Sequence, residues 1–581
     1  MKGLASTLAT IWRLASPYFR SEDRVAGRVL LGGLIALELS LVAINVLLNQ
    51  WQNRFYNALQ ELNWDAFVTQ LMIFCALAAA YIGLAVYRLY VNQWLQIRWR
   101  QWMNRAYLGD WLDHANHYRM QLLGDAADNP DQRIAEDIQL FVDRTLTIGT
   151  GLLSAIVTFG SFVVILWTLS AAAPLHLFGS EWSIPGYLVW AALIYAVIGT
   201  VLTHLIGWPL VGLNFLQQRY EADFRFNLVR VRENAEQIAL LKGESAEKER
   251  LLERFGRVVA NWLLIMERTK KLTFFTAGYA QVSIVFPYVV VSPAYFAGKM
   301  QLGGLMQTAS AFNSVQTALS FFIEAYRSMA EWRSVIQRLD GFGLAVAGAR
   351  AAANTPPVIG VQADGQDRAV ELDDVAVNLP TGAPLLVSDN IKLPHGEPVL
   401  FNGPSGSGKS TLFRAIAGIW PFGSGRIVLP KDAHLMMLPQ RPYFPVGSLA
   451  AAITYPAEAG SYDRERLAEA IRAVGLPALA QRLDEEAHWN RMLSLGEQQR
   501  LGIARALLQK PDFLFLDEAT ASLDEPSEAA LYRLVQERLP NATVVSIGHR
   551  STLAAFHRRR LVLERDGDRH RVRDTALKPT E

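Results

Sequence analysis

The chain has 581 residues, 51% of them hydrophobic, a mean hydropathy of +0.14 and a formal net charge of +2. That composition is too apolar for an ordinary soluble protein, and the near-neutral charge gives no global field for nucleic acid. The single cysteine, Cys75, excludes an intrachain disulfide framework and a thiolate metal site.

Leu4, Leu8, Ile11, Trp12 and Ala15 recur at helical spacing with Arg13 off that face, and Ser16-Pro17 follows. This predicts an amphipathic helix, either lying in the cytoplasmic membrane interface or packed on the protein surface. It does not read as a cleaved signal.

Six apolar segments follow, near 29–48, 67–91, 146–169, 187–210, 274–297 and 302–322, each about the 20 residues a bilayer requires. The sixth is the most polar. Arg13, Arg20, Arg24 and Arg28 precede the first segment, and Arg98, Arg100, Arg105, Arg119, Arg133 and Arg144 follow the second. The stretch 170–185 has no Lys or Arg, so the positive-inside rule places both chain ends in the cytoplasm. The inner connections, 92–145 and 211–272, are long, as expected if the membrane helices continue into the cytoplasm.

The strip DNPDQRIAED (128–137) lies in the first of these connections. Asn129 as N-cap, Pro130 at N1 and Gln132 at N3 form a capping-box pattern, predicting the start of a helix that runs into the third span. The alternative is a charged solvated loop. The turn before it, 118–128, is expected at the membrane-distal tip, touching the C-terminal domain.

Within the spans, Glu38 is an intramembrane carboxylate that either binds a cationic substrate, carries a proton or pairs with a buried donor. His204 has the same readings. Asn313, Thr317, Ser320 and Glu324 form one polar face of the sixth segment, lining a cavity or joining helices. The expected divisions are a membrane domain over 1–342, a linker over 343–368 with small residues and Pro/Gly, and an α/β domain over 369–581.

In that last domain an apolar strand precedes Gly403–Ser410, which fits G-x-x-x-x-G-K-S and opens a helix-compatible run. This is a P-loop context. Gly403, Ser405, Gly406, Gly408 and Thr411 belong to the phosphate cradle, Lys409 is placed to reach the β- and γ-phosphates, and Ser410 to ligate Mg²⁺. The run FLFLDEATASLD (513–524) ends a buried strand in two acids. Asp517 is suited to support Mg²⁺ and Glu518 to polarise a water. ATP and Mg²⁺ are thus the expected cofactors.

LSLGEQQRLGIARAL (493–507) resembles the signature of ATP-binding cassette (ABC) proteins. The resemblance implies several further roles. Gln440 is the glutamine that senses Mg²⁺ and faces the membrane domain, Ser522, Leu523 and Asp524 form the D-loop, and His549 is the switch histidine. It also implies composite sites, in which Ser494 and Gly496 of one copy contact ATP on another, and so a homodimer. The family's usual adenine-stacking aromatic is missing from 373–386, where Asn378 or Leu379 stands.

NPDQRIAEDI (129–138), NLVRVRENAEQIALLKGESAEKERL (227–251) and AGIWPFGSG (417–425) resemble SbmA/BacA-like ABC transporters and the related fatty-acyl transporters of subfamily D. The second stretch looks like their EAA-like motif, with Glu233, Ala235, Glu236, Gly243 and Glu247. The implied fold is an exporter-type domain of six transmembrane helices plus an α/β P-loop nucleotide-binding domain. The implied activity is ATP hydrolysis driving transport by a homodimeric half-transporter in a bacterial inner membrane. Peptides or other bulky hydrophilic compounds are the expected cargo. A fatty-acyl transporter and a non-transporting membrane ATPase are the alternatives.

Overall fold

The computed structural model describes every residue except Met1, 125–128, 173, 174, 178, 179, 183, 366, 459 and 577–581. For 2–8, 172, 175–177, 180–182, 322–324, 326, 327, 330, 364, 365 and 576 it describes the backbone alone. The chain divides into two compact units, residues 1–107 with 131–340, and residues 108–130 with 341–581.

The first unit is built on six long helices: α1 (Arg24–Gln60), α2 (Trp64–Leu112), α3 (Ile138–Ala172), α4 (Tyr187–Glu233), α5 (Glu244–Phe296) and α6 (Leu302–Asn354). At 35 to 53 residues each, they exceed what a bilayer requires, so their ends run on beyond it. Five of these helices are long and apolar enough to cross a membrane among the described residues. The exception is α6, whose Gln, Thr, Ser and Asn residues lower its hydropathy. It continues as helix to Asn354, so the stretch from 343 expected to be a linker is helical over its first twelve residues. Its alanine-rich sequence explains this, because alanine has the highest intrinsic helix propensity.

Part of the polarity of α6 is matched by α1. Asn49 Nδ2 donates to Gln307 O at 3.0 Å and Asn53 Nδ2 to Gln307 Oε1 at 2.6 Å. The Gly303 N–H donates to Asn57 Oδ1 at 2.8 Å. A Cβ on Gly303 would lie 2.0 Å from Asn53 O, so only glycine allows this approach. Inside a bilayer such groups must find protein partners, and here they do.

The N-terminal helix spans Lys2–Ala15, with Trp12 exposed and Arg13 paired to Asp340. After it the buried Tyr18 stacks on Trp99 at 5.7 Å, which is itself edge-on to Phe141.

The expected capping box at Asn129 is replaced by another device. Asn129 has φ +50°, outside the extended conformation of an N-cap, and Gln132 Nε2 donates forward to Glu136 Oε2 at 3.1 Å. Asp128 lies outside the described residues. The helix begins at Pro130 and passes through a π-helical turn, Arg133–Asp137, before α3. That turn brings Arg133 and Asp137 together as a buried ion pair. Asp137 is 1% exposed and also accepts two bonds from Arg338 of α6, at 2.9 and 2.5 Å. One carboxylate thus serves two guanidinium groups and joins α3 to α6.

The second unit holds one eleven-stranded sheet. Its parallel part comprises β1 (Val399–Asn402), β2 (Leu435–Leu438), β3 (Phe513–Asp517), β4 (Thr543–Ile547) and β5 (Arg559–Asp566), in the spatial order β2-β3-β4-β1-β5. The runs FLFL and TVVSI are buried throughout, as parallel strands covered on both faces require. Residues 108–130 belong to this unit. Their short helix, Asn116–Leu123, packs Tyr118 and Leu122 against the core containing Leu412, Phe413, Ile416 and Trp420. Arg119 Nη2 donates to Gly418 O at 3.2 Å, and Arg350 Nη2 to Asp110 Oδ1 at 2.7 Å. The expected tip contact with the C-terminal domain is therefore present.

Asp137→Ala leaves two arginines without their shared carboxylate, a loss that costs about 3–5 kcal/mol at buried pairs. Thermal unfolding of the detergent-solubilised protein is expected to show a clearly lower midpoint. An unchanged midpoint would show that the ion pair does not hold α3 to α6.

Candidate functional site

Four adjacent parallel strands deliver the site. The P-loop leaves the C-terminal end of β1, Gln440 follows β2, Glu518 follows β3 and His549 follows β4. Asp517 pairs in register with Ile547, and Ile547 with Phe401, so these ends are level. Ligands bind at this edge in α/β sheets, where loops converge and helix N-termini point.

The P-loop wraps from Gly403 to Gly408 and enters the helix α7 (Lys409–Ile416). Gly408 has φ +93°, and a Cβ there would meet Leu385 and Leu386 at 2.8–2.9 Å. Ser405 and Gly406 are exposed, whereas Ser407 is buried with an Oγ that has no partner among the described residues. Lys409 Nζ donates to Gly403 O and Pro404 O at 2.9 and 2.8 Å, inside the loop it closes. Burial lowers the Lys409 pKa against the nearby charges of Glu518 and Asp517. Ser410 Oγ donates to Asp517 Oδ1 at 2.7 Å, and burial raises the Asp517 pKa. An enclosed ammonium calls for an anion, and a buried carboxylate beside a hydroxyl calls for a cation. This donor set fits a polyphosphate with Mg²⁺.

Glu518 has φ +51°, a strained conformation for a non-glycine residue that turns its side chain out of the strand end. Its carboxylate meets two expected partners, His549 Nε2 at 3.3 Å and Gln440 Nε2 at 3.4 Å. The structure therefore brings together Lys409, Ser410, Asp517, Glu518, Gln440 and His549.

Ser494, Gly496 and Asp524 stand apart from this group. Ser494 caps helix α8 (Leu495–Gln509) through a reciprocal capping box with Glu497. Its hydrogen bonds among the described residues go to Glu497 and, through its carbonyl, to Gln498 N, and none reaches the P-loop. Asp524 precedes helix α9 (Glu525–Arg538) as its N-cap residue. Near the missing aromatic, Leu379 is exposed, and the buried Trp420 donates its indole N–H to Asn378 O at 2.9 Å.

Sequence reasoning missed two residues that hold these loops. Arg550 donates to Leu523 O at 2.7 Å and Ala521 O at 3.2 Å, fixing the D-loop backbone beside His549. Gln499, 1% exposed, reaches both the Gln440 and Ser522 segments. Both act on main-chain atoms, which leave no mark in the sequence of the partner.

The membrane candidates are partly committed. Glu38, 4% exposed, accepts from Arg88 Nη1 at 3.0 and 3.2 Å, and the Arg88 side chain is itself 45% exposed. Asn313 Oδ1 accepts from Ser283 Oγ at 3.4 Å, and Ser320 Oγ accepts from Gln316 at 3.1 Å. Thr317 is exposed, and the side chain of Glu324 lies outside the described residues. His204 is exposed, with its ring 5.3 Å from that of Trp208.

Comparison with known proteins agrees with this geometry. Residues 14–296 match the family described as ABC transporter transmembrane region 2, and residues 386–521 match the ABC transporter family. An uncharacterized ABC transporter ATP-binding protein of Haemophilus influenzae is 37% identical, over 96% of this chain and 92% of that one. The chain belongs to the ABC transporter family. The inner membrane ABC transporter ATP-binding protein YddA of Escherichia coli is 34% identical, over 92% of this chain and 94% of its own. The chloroplastic ABC transporter D family member 2 of Arabidopsis thaliana is 33% identical, over 95% and 86%. A bacterial Atm1-family ABC exporter with ATP bound shares the fold, with a TM-score of 0.72 at 19% identity over 92% and 93% of the two chains. This ABC protein is thus a multi-pass, ATP-driven half-transporter related to subfamily D. Its ATPase domain uses ATP with Mg²⁺.

Lys409→Ala is expected to abolish nucleotide binding, and Glu518→Gln to retain it. Hydrolysis by Glu518→Gln should fall by about 10²-fold or more, the scale of a lost general base. Labelled-ATP binding measured beside phosphate release checks both. Full hydrolysis by Glu518→Gln would remove Glu518 from its role.

Proposed function

We propose that this chain works as a homodimeric transporter in a bacterial inner membrane, with its termini and ATP-binding domains in the cytoplasm. Each nucleotide is held between the P-loop of one copy and Ser494 and Gly496 of the other. The observation that supports the dimer is that, among the described residues, Ser494 makes no bond to its own P-loop. A second support is the turn between α4 and α5, where Leu240 and Leu241 are 76% and 82% exposed. Apolar side chains so exposed at the end of a cytoplasmic hairpin suit a partner surface.

Within each site, Lys409 and the loop amides hold the phosphates, and Ser410 and Asp517 hold Mg²⁺ with Gln440. The cation neutralises charge that develops on the phosphates. Glu518 orients and polarises the attacking water, His549 contacts the γ-phosphate, and Asp524 lies at the seam between copies. The contact of Tyr118, Leu122 and Arg119 with the cassette core couples its closure to the membrane helices.

For the cargo, an acyl amphiphile with an anionic head is favoured. Arg268 and Lys270 lie exposed at the cytoplasmic approach to the fifth span, and neither makes an ion pair among the described residues. Glu38 is neutralised by Arg88, which removes the free intramembrane carboxylate a cationic peptide would use. Peptides or other bulky hydrophilic solutes remain the second reading, favoured by Thr317 exposed on the polar face of α6.

Inverted and right-side-out vesicles offered a fatty acyl-CoA and a basic peptide in competition test this. ATP-dependent movement of the acyl-CoA, lost in Glu518→Gln and weakened by Arg268→Glu with Lys270→Glu, is expected. Movement of the peptide alone would transfer the assignment to the second reading. Replacing Leu240 and Leu241 with Asp should lower ATPase activity without lowering the unfolding midpoint. Unchanged activity would leave that turn without a role in the dimer.

A further inference from the structure

The signature helix α8 carries a side chain that touches two loops of the nucleotide site at once. Gln499 stands at the start of its second turn and is buried to 1% exposure, although Gln440 and Ser522 are both exposed. Its Nε2 donates to Gln440 O at 3.0 Å, and its Oε1 accepts from Ser522 N at 3.0 Å. The amide orientation is fixed by the partners, since a carbonyl only accepts and a backbone N–H only donates.

The two loops have anchors of their own, the D-loop through Arg550 and the glutamine loop through the bond from Gln440 to Glu518, but neither anchor lies on the signature helix. One amide spans them, and shifting either loop breaks a bond that is shielded from water. The neighbouring Gln498 differs, because it donates to Asn490 O and Leu493 O, just before its own helix. Gln499 alone of this pair reaches across to the segments that present Gln440 and Asp524.

We propose that Gln499 is a positioning residue for ATP hydrolysis. It sets a single spacing between the glutamine loop and the D-loop and ties both to the signature helix. A displacement of α8 then moves Gln440 and the D-loop together. Gln499 touches neither nucleotide nor metal, so its removal alters turnover rather than ATP affinity. The inference rests on the reading of Gln440 given above.

Gln499→Met keeps the volume and loses both bonds. Gln499→Glu keeps the acceptor for Ser522 N and sets an oxygen against Gln440 O. Tyr532→Phe is the stability control, since it removes a buried hydrogen bond to Ser546, 3.0 Å long, and leaves both groups bonded by Gln499 unchanged. Full-length protein in lipid nanodiscs is assayed for kcat, for KM for ATP and for unfolding midpoint. Both Gln499 variants are expected to lose about tenfold in kcat with KM changed by less than about threefold, the pattern of a group acting only on turnover. Tyr532→Phe should match their midpoints while keeping wild-type kcat. If Gln499→Met does not fold, Gln499→Glu decides. Wild-type kcat in Gln499→Glu, or an equal kcat loss in Tyr532→Phe, overturns the proposal. Gln440→Ala run in parallel separates the two readings. Full activity there sinks the role given to Gln440, and the kcat of the Gln499 variants still decides whether Gln499 positions the loops.

Discussion

The level ends of four parallel strands are the constraint on which this chain's chemistry depends. Hydrogen-bond register sets Asp517 beside Ile547 and Ile547 beside Phe401. The residues just past those ends are therefore neighbours, although 146 positions separate Gly403 from His549. Side chains alternate between faces along a strand, so a one-residue slip would turn Asp517 away from Ser410. Burial on both faces protects that register, because any shift would disturb the core above and below. The strained turn at Glu518 is a local cost borne by this packed frame.

The same unit also contains a segment from the first half of the chain. Residues 108–130 leave α2 to join the cassette core through Tyr118, Leu122 and the bond from Arg119 to Gly418. Gly418 lies just past the helix that begins at Lys409, so the tip seats on the element that follows the P-loop. In the first unit, Asp137 links the start of α3 to α6 through Arg338 and pairs locally with Arg133. A phosphate-binding helix and a docked tip thus meet within the second unit, and an ion-paired helix start lies within the first.

Polar groups within the membrane helices show a different economy. Asn49, Asn53, Asn57 and Gln307 answer one another, and Glu38 is answered by Arg88. Without water to compete, each unmatched group would be costly, so much of the polarity is structural. A carboxylate in an apolar run therefore reports a partner as readily as a substrate. Thr317 remains turned outward, and the basic residues near the fifth span remain available. These are better guides to cargo than the total of polar residues.

Much of this protein is written locally. Lengths of apolar sequence mark the long helices. The spacing of Gly403, Lys409 and Ser410 marks a phosphate cradle because backbone and side chain act within eight residues. The acids 517 and 518, the signature and His549 could each be placed by short-range pattern, and the structure assembles six of the expected residues. Tertiary structure decided what distant partners determine. Asn129 took a left-handed conformation, and Asp137 near the helix start met Arg338, two hundred and one residues away. The first twelve residues of the expected linker became helix because α6 continues in alanine-rich sequence. Glu38 met Arg88, fifty residues away, and Gln499 and Arg550 found main-chain atoms that no residue type advertises. A sequence records what each residue can do with its neighbours along the chain, whereas long-range hydrogen bonds and ion pairs exist only once folding has chosen which distant groups meet.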